Sequence, residues 1–294
     1  MGRAAIALLS LSAACSFRHG ATGTDAAVDA PLPACGGHTC DQHATCVQSS
    51  NCVCVTGYSG DGATCTAVDP CATNNGGCAA ACEMTGPGTS SCYTPQTCAD
   101  VAAHTTLVDD SSVTLYAGAV PSRPWTAFCH GGVEYLTLPA GAAANYGQYS
   151  ASTKSPGTDV RTSYTRVRLD PATLKVDICD ETFATSTGML MHDPTFNGND
   201  PVTSMPLGSA MDCAGNNSHT GAANVDLTGA PFVVTSGWSS AGNSPGGMAT
   251  KTGGARVVAV TGGGNCGWTA PTGSPNNPFN TFTSSNILVL AYQP

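Results

Sequence analysis

The sequence predicts a mostly β protein in which small, disulfide-rich hairpin modules precede an all-β, sandwich-like domain. Three observations carry that expectation. The 294 residues include 16 Cys, crowded towards the N-terminal third. Charged residues are only 10% of the chain, against about 25% in an average soluble domain, while Gly (35) and Pro (19) are frequent. From about Thr97 short apolar runs alternate with Gly, Pro, Asn and Asp, and helical periodicity is nearly absent. Such a composition disfavours helical bundles and favours short strands joined by turns. The length suggests about two domains. A net charge of −9 with ten Lys plus Arg argues against nucleic-acid binding, which needs a basic patch.

Taken from the N-terminus, Arg3 precedes an apolar stretch from Ala4 to Leu11, and small residues lead to Cys15. A positive end, a short apolar core and a small-residue exit describe a secretory signal over residues 1–14. The string Leu11-Ser12-Ala13-Ala14-Cys15 resembles a bacterial lipobox, with Ser12 where that motif usually has Leu. The resemblance implies cleavage before Cys15 and lipidation of its thiol, with plain secretion as the alternative. Residues 15–34 carry Ala, Asp, Gly, Thr and Pro and almost nothing bulky, so they read as a flexible linker. Beyond the signal no apolar run reaches the roughly 18 residues of a spanning helix. Membrane contact is therefore expected only through an anchor at Cys15.

Six cysteines follow within residues 35–65: Cys35, Cys40, Cys46, Cys52, Cys54 and Cys65. So short a stretch cannot build a self-sufficient core and must be held by crosslinks. Six Cys allow fifteen connectivities, and spacing does not choose among them. A zinc reading with His38 and His43 is the rival, but exported thiols oxidise and the paired knuckles of zinc modules are missing. The run from Cys52 to Gly62, Cys-Val-Cys-Val-Thr-Gly-Tyr-Ser-Gly-Asp-Gly, resembles the end of an EGF-like module. That resemblance implies the pairs Cys35–Cys46, Cys40–Cys52 and Cys54–Cys65. The second cluster, over residues 71–96, resembles an EGF-like module lacking its last disulfide. It implies Cys71–Cys82 and Cys78–Cys92. Neither module is preceded by the oxygen ligands that Ca²⁺ requires.

In the region 97–294 the clearest elements are Thr165–Leu169 and Leu174–Ile178. There Val167 and Leu169 alternate with Arg166 and Arg168, and Leu174, Val176 and Ile178 with Lys175 and Asp177. Around the turn Asp170-Pro171-Ala172-Thr173 this predicts a hairpin with one buried face. Further strands are expected over residues 113–117, 125–128, 134–138, 224–227, 232–234, 256–260 and 287–292, with one helical turn near Asp100–His104. The strings Phe128-Cys129, Glu134-Tyr135-Leu136-Thr137-Leu138-Pro139-Ala140-Gly141, Phe183-Ala184, Asp212-Cys213, Val225-Asp226-Leu227-Thr228-Gly229 and Gly263-Gly264-Asn265-Cys266-Gly267 resemble the GON domain. That is a noncatalytic module found at the C-terminus of ADAMTS-type secreted metalloproteases. The resemblance implies the pairs Cys98–Cys129 and Cys213–Cys266. Cys179 is left as the odd cysteine, either a buried thiol acting as a small hydrophobe, or a partner for another chain or for Cys15.

Catalytic motifs fail on mechanism. The seven His (19, 38, 43, 104, 130, 192, 219) include no H-E-x-x-H pair. Gly242-Asn243-Ser244-Pro245-Gly246 fits G-x-S-x-G, but Pro245 lacks the N–H an oxyanion hole would take from it. Gly262–Gly267 fits G-x-G-x-x-G, but the Pro-rich continuation cannot form the helix that holds a pyrophosphate. Asp193, Asn197, Asn199 and Asp200 form a weak Ca²⁺ candidate that equally reads as a solvated turn. His130 is expected in an exposed loop. Among Trp125, Trp238 and Trp268 at least two are expected in the core rather than on a carbohydrate face. The sequence thus describes a non-enzymatic adhesion or interaction protein of the cell envelope or extracellular space, anchored on the outer surface of a bacterium. Its partner is an extracellular protein or glycan, and no cofactor is expected. The alternative is a secreted hydrolase, or a protein ancillary to a metalloprotease.

Overall fold

The computed structural model describes residues 34–48, 50–192, 201–215, 220–242, 246–272 and 287–294. The signal, nearly all of the linker, Cys15, and the Asp193, Asn197, Asn199 and Asp200 loop lie outside these residues. Within them the chain is mostly β and divides into two compact units. One runs up to Asp69 and takes in Gly86–Thr89; the other comprises Pro70–Thr85 and Ser90–Pro294.

The first unit is built from two hairpins, Ala44–Val47 with Asn51–Cys54 and Tyr58–Gly60 with Cys65–Ala67. Its buried apolar cluster is little more than Cys35, Cys40 and Ala44. The crosslinks Cys35–Cys46, Cys40–Cys52 and Cys54–Cys65 therefore take the place of a core. Gly62 holds φ +84°, and a Cβ there would lie 2.1 Å from the Cys52 carbonyl oxygen, so only glycine lets the second hairpin close over the first.

The larger unit begins with Cys71–Cys82 and Cys78–Cys92, which staple the hairpin formed by Ala81–Gly86 and Thr89–Tyr93. Next comes a helix, Cys98–His104, which starts two residues earlier than the sequence suggested. Thr97 is its N-cap: the Thr97 hydroxyl accepts from the Asp100 N–H at 3.0 Å, and the Asp100 carboxylate accepts from the Thr97 N–H at 2.9 Å. This reciprocal box satisfies N–H groups that the first turn cannot. Burial pushes the Asp100 carboxyl up, but the N–H groups of Gln96 and Thr97, the Thr97 hydroxyl and the His104 charge outweigh it and hold it below 3.8. A carboxyl depressed on folding adds stability above its unfolded value and loses it as pH falls through the folded one. Asp100→Asn should therefore cost about 0.5–1 kcal/mol at neutral pH, the deficit vanishing in acid below pH 3.8. Urea melts at pH 7 and in that acid range check it; a pH-independent deficit would point to another cause.

The rest of the unit is a sandwich of two sheets. The first has the order Phe232–Val234, Ile287–Tyr292, Lys175–Asp177, Arg166–Asp170, Val133–Thr137, Pro124–His130 and Ser111–Tyr116, every neighbour antiparallel. The second runs Trp238–Ala241, Gly267–Pro271, Ala210–Asp212, Tyr146–Ser150, Ala222–Asp226, Val257–Thr261 and Ala249–Thr252, with Val160–Tyr164 and Ala184–Thr187 branching from Tyr146–Ser150. Its parallel pairing joins Tyr146–Ser150 to Ala210–Asp212. Leu115, Trp125, Leu136, Val167, Leu169 and Phe232 of the first sheet meet Ala223, Val225, Val258 and Val260 of the second in one buried core. Cys98–Cys129 ties the helix to the first sheet, where the Cys98 N–H also donates to Glu134 at 2.6 Å.

The structure corrects three local expectations. Leu174 does not start a strand: it closes the turn with φ +55°, and its N–H returns to the Asp170 carbonyl at 2.8 Å. His130 ends the strand Pro124–His130 instead of sitting in a loop. Most of the second sheet was not anticipated, because its strands are short or rich in Gly, Ala, Ser and Thr. Trp125 is buried between the sheets; Trp238 packs half-buried against the same core and donates to the Gly208 carbonyl, and Trp268 lies against a second, smaller core.

Candidate functional site

Two arrangements in the larger unit stand out. The first is on the outer face of the first sheet. Along Pro124–His130 the residues Trp125, Ala127 and Cys129 point inward, so Phe128 and His130 face outward. Register places Tyr135 opposite both Phe128 and Arg168, and Arg166 opposite Thr137, on that same outer face. The segment after Ile178 then brings Phe183 over it. Phe183 meets Phe128, Tyr135 and His130 edge-to-face at 5.5, 4.8 and 5.2 Å between ring centroids. The Arg166 guanidinium lies 3.9 Å from the Phe128 ring centre and 5.0 Å from that of Phe183. Among the described residues its Nε is buried without a hydrogen-bond partner. At the rim the His130 ring is 2.6 Å from Asp110, and Asp109 accepts from the Gly131 N–H at 2.9 Å. Tyr135 donates to Asp180 at 3.2 Å; burial first, and then the Asp180 charge, push its phenol above the usual value. An outer sheet face is normally polar, so this aromatic shelf with a cation set into it is a departure that calls for a reason.

The second arrangement is internal. The Tyr149 hydroxyl lies 2.7 Å from the Ser155 hydroxyl, 2.6 Å from His192 Nδ1 and 2.9 Å from Cys213 Sγ. Tyr149 and Ser155 are fully buried, and His192 is 6% exposed. Cys213 is bonded to Cys266, which stands in a glycine-rich loop with φ +64°. Gly221 and Gly262 press on Met211 from its two flanks: a Cβ at either would come within 3 Å of its backbone. Gly262–Gly267 is thus packing material for the Cys213–Cys266 region, with the strand Gly267–Pro271 following it where a nucleotide loop would start a helix.

The other residues singled out from the sequence fall as follows. Cys179 is half-buried against the main core, outside the seven disulfides, and its N–H donates to Asp177. Residues 243–245 of the Gly242–Gly246 string lie outside the described residues. Tyr149, Ser155 and His192 received no role from the sequence, since nothing in their spacing announces that they converge. A concavity at Thr126, Leu136, Thr137, Pro139 and Gly229–Pro231 holds about 150 Å³, below the roughly 300–1,000 Å³ of small-molecule sites. Among the described residues no helix is long and apolar enough to cross a membrane.

Comparison with known proteins adds two similarities. A model of the GON domain matches residues 150–276, a little under half of the chain. Residues 150–276 are thus similar to the GON domain, while the strings at Phe128–Cys129 and Glu134–Gly141 lie ahead of the matched span. Stabilin-2 of Mus musculus is 48% identical over 64 residues, 21% of this chain and 2% of the relative. Stabilin-2 of Rattus norvegicus is 52% identical over 50 residues, 17% of this chain and 4% of the relative. The chain thus spans only a few per cent of the length of these relatives. No solved structure matches.

Proposed function

We propose that this protein is a non-enzymatic extracellular or surface interaction protein: disulfide-held EGF-like modules carry a GON-type sandwich whose outer aromatic shelf recognises a glycan or an extracellular protein. The observation that carries the reading is Arg166, whose guanidinium lies 3.9 Å from the Phe128 ring centre and 5.0 Å from that of Phe183 on the outer face of the sheet. Aromatic faces bind sugar rings and apolar side chains, while a guanidinium set among them supplies directional donors to a hydroxyl or carboxylate. Aromatic and Arg side chains are also those most often found as binding hot spots. The GON match and the stabilin similarities support the reading, as does the seven-disulfide framework, which suits an oxidising compartment. The Leu11–Cys15 string supports a lipid at Cys15 as the tie to the membrane. Against a hydrolase stands the sealing of the Ser155 hydroxyl beneath the surface, where no substrate carbonyl can reach it.

An array of glycans and extracellular proteins, probed with the full chain, tests the proposal. Arg166→Ala should weaken the best hit by roughly tenfold or more, as expected of a hot-spot residue. Arg123→Ala, at an exposed turn, should leave it unchanged. An array without hits, or equal binding by the Arg166 variant, would remove the shelf from consideration.

A further inference from the structure

The internal cluster around Cys213 lies apart from the outer shelf and is not used by it. A disulfide is apolar and asks for no polar neighbours, yet this one is ringed by an imidazole, a phenol and a hydroxyl, all buried. The cost of burying such groups is recovered only if they are spent on one another or on a ligand. One ring nitrogen of His192, Cys213 Sγ and Cys266 Sγ lie within 4.8 Å of one another. The Cys213 Sγ to His192 Nδ1 separation is 3.9 Å, and the Tyr149 oxygen stands beside both at 2.9 and 2.6 Å. Zn–S bonds of about 2.3 Å and Zn–N bonds of about 2.0 Å set tetrahedral donors some 3.3–3.8 Å apart. Cys213 Sγ and His192 Nδ1 already stand close to that spacing, the two sulfurs must separate, and Cys266 sits among Gly262, Gly263, Gly264 and Gly267, where the backbone can give.

We propose that Cys213, Cys266 and His192 form a redox-gated zinc site: a disulfide when oxidised, and a buried thiolate–imidazole centre for Zn²⁺ when reduced. A small dithiol attacks at Cys266, 7% exposed where Cys213 and Ser155 are fully covered, and reduces the Cys213–Cys266 bond to two thiols while closing to its own disulfide. Zn²⁺ then displaces one proton from each thiol and takes the His192 nitrogen lone pair, with no further electron transfer. Two thiolates and an imidazole select a borderline ion over Ca²⁺ or Mg²⁺. Burial makes the centre structural rather than catalytic. Ser155, through the Tyr149 hydroxyl, is a positioning residue.

The test uses the full chain, treated with a dithiol under native conditions, freed of reductant and titrated with Zn²⁺ or Co²⁺ against a chromophoric chelator. Alkylation and peptide mapping report which cysteines have opened. The wild type and Cys179→Ser should each bind one equivalent tightly, with a thiolate-to-cobalt charge-transfer band, whereas untreated protein binds none. Cys213→Ser/Cys266→Ser should lose that equivalent. His192→Gln, which keeps both sulfurs and so guards against simple misfolding, should weaken Co²⁺ binding by well over tenfold. Ser155→Ala should weaken it by about tenfold, in the range of outer-shell partners. A Cys213–Cys266 pair that the dithiol leaves closed, a reduced wild type without the tight equivalent, or the same equivalent in the double serine variant would each overturn the proposal.

Discussion

Phe232→Ala should destabilise the larger unit by about 3–5 kcal/mol, the range for truncating a fully buried aromatic. Phe232 is 0% exposed and meets Trp125 and Tyr292 edge-to-face at 5.7 and 5.8 Å. It stands on the outermost strand of the first sheet, paired on one side with Ile287–Tyr292 and held on the other by the side chains of Arg256 and Lys251, and its ring anchors that strand to the core. The Arg256 guanidinium grips the backbone on either side of it, donating to the carbonyls of Ala230 at 2.6 Å, Phe232 at 3.1 Å and Gln293 at 2.6 Å. With these bonds in place the chain cannot collapse fully into the space a missing ring leaves, which places the loss in the upper part of the range. All three Trp residues lie in this unit, so urea unfolding followed by Trp fluorescence reports it directly. Val108→Ala, at a side chain 67% exposed, should shift the midpoint by no more than about 0.5 kcal/mol. A Phe232 variant within 1 kcal/mol of wild type would mean that the two sheets do not share one core.

The second large effect belongs to the first unit. Cys40→Ala/Cys52→Ala removes a bridge from a segment whose buried apolar side chains are themselves mostly half-cystines. Loss of a native disulfide from a small domain costs about 2–5 kcal/mol, comparable with everything so small a core supplies. The expected result is local unfolding. The stack of His43 on Tyr58, with centroids 4.1 Å apart and planes 11° from parallel, provides the probe. Its ring-current shifts should collapse to random-coil values in the variant, while the Trp fluorescence melt of the other unit stays where it was. Retained shifts would show that the hairpins hold without that bridge.

How far the fold could be read in advance differs between the two sheets. In the first, Val167, Leu169, Val176 and Ile178 alternate with charged residues, and a period of two is visible without tertiary information. In the second, Tyr146–Ser150 reads Tyr-Gly-Gln-Tyr-Ser, and its Gly147 is needed because a Cβ would strike the Pro206 carbonyl oxygen at 2.0 Å. That requirement comes from a segment 59 residues further on, so no local pattern encodes it. Ala210–Asp212 is buried on both sides and three residues long, too short to show alternation. The outer shelf was legible in parts: Phe128, Tyr135 and Phe183 stand in strings that resemble the GON domain, while Arg166 read only as the wet side of a hairpin. Their meeting is set by the cross-strand register and by the path after Ile178. Of the internal cluster only the Cys213–Cys266 pair was legible, through the GON resemblance. His192 and Cys213 lie far along the chain from Tyr149 and Ser155, and only the completed fold brings them together.

The parallel pairing of Tyr146–Ser150 with Ala210–Asp212 also has a kinetic consequence. A parallel partner cannot be supplied by a tight turn, so the strand at 146–150 must wait for some sixty more residues before that flank is covered. Closing so long a loop precedes any reward from the contacts it brings, which slows assembly. Meanwhile the open flank is a template for any other extended chain nearby. A newly made molecule therefore spends its most vulnerable interval half-zipped, and crowding where it folds, more than the depth of the final energy well, sets how much of it arrives intact.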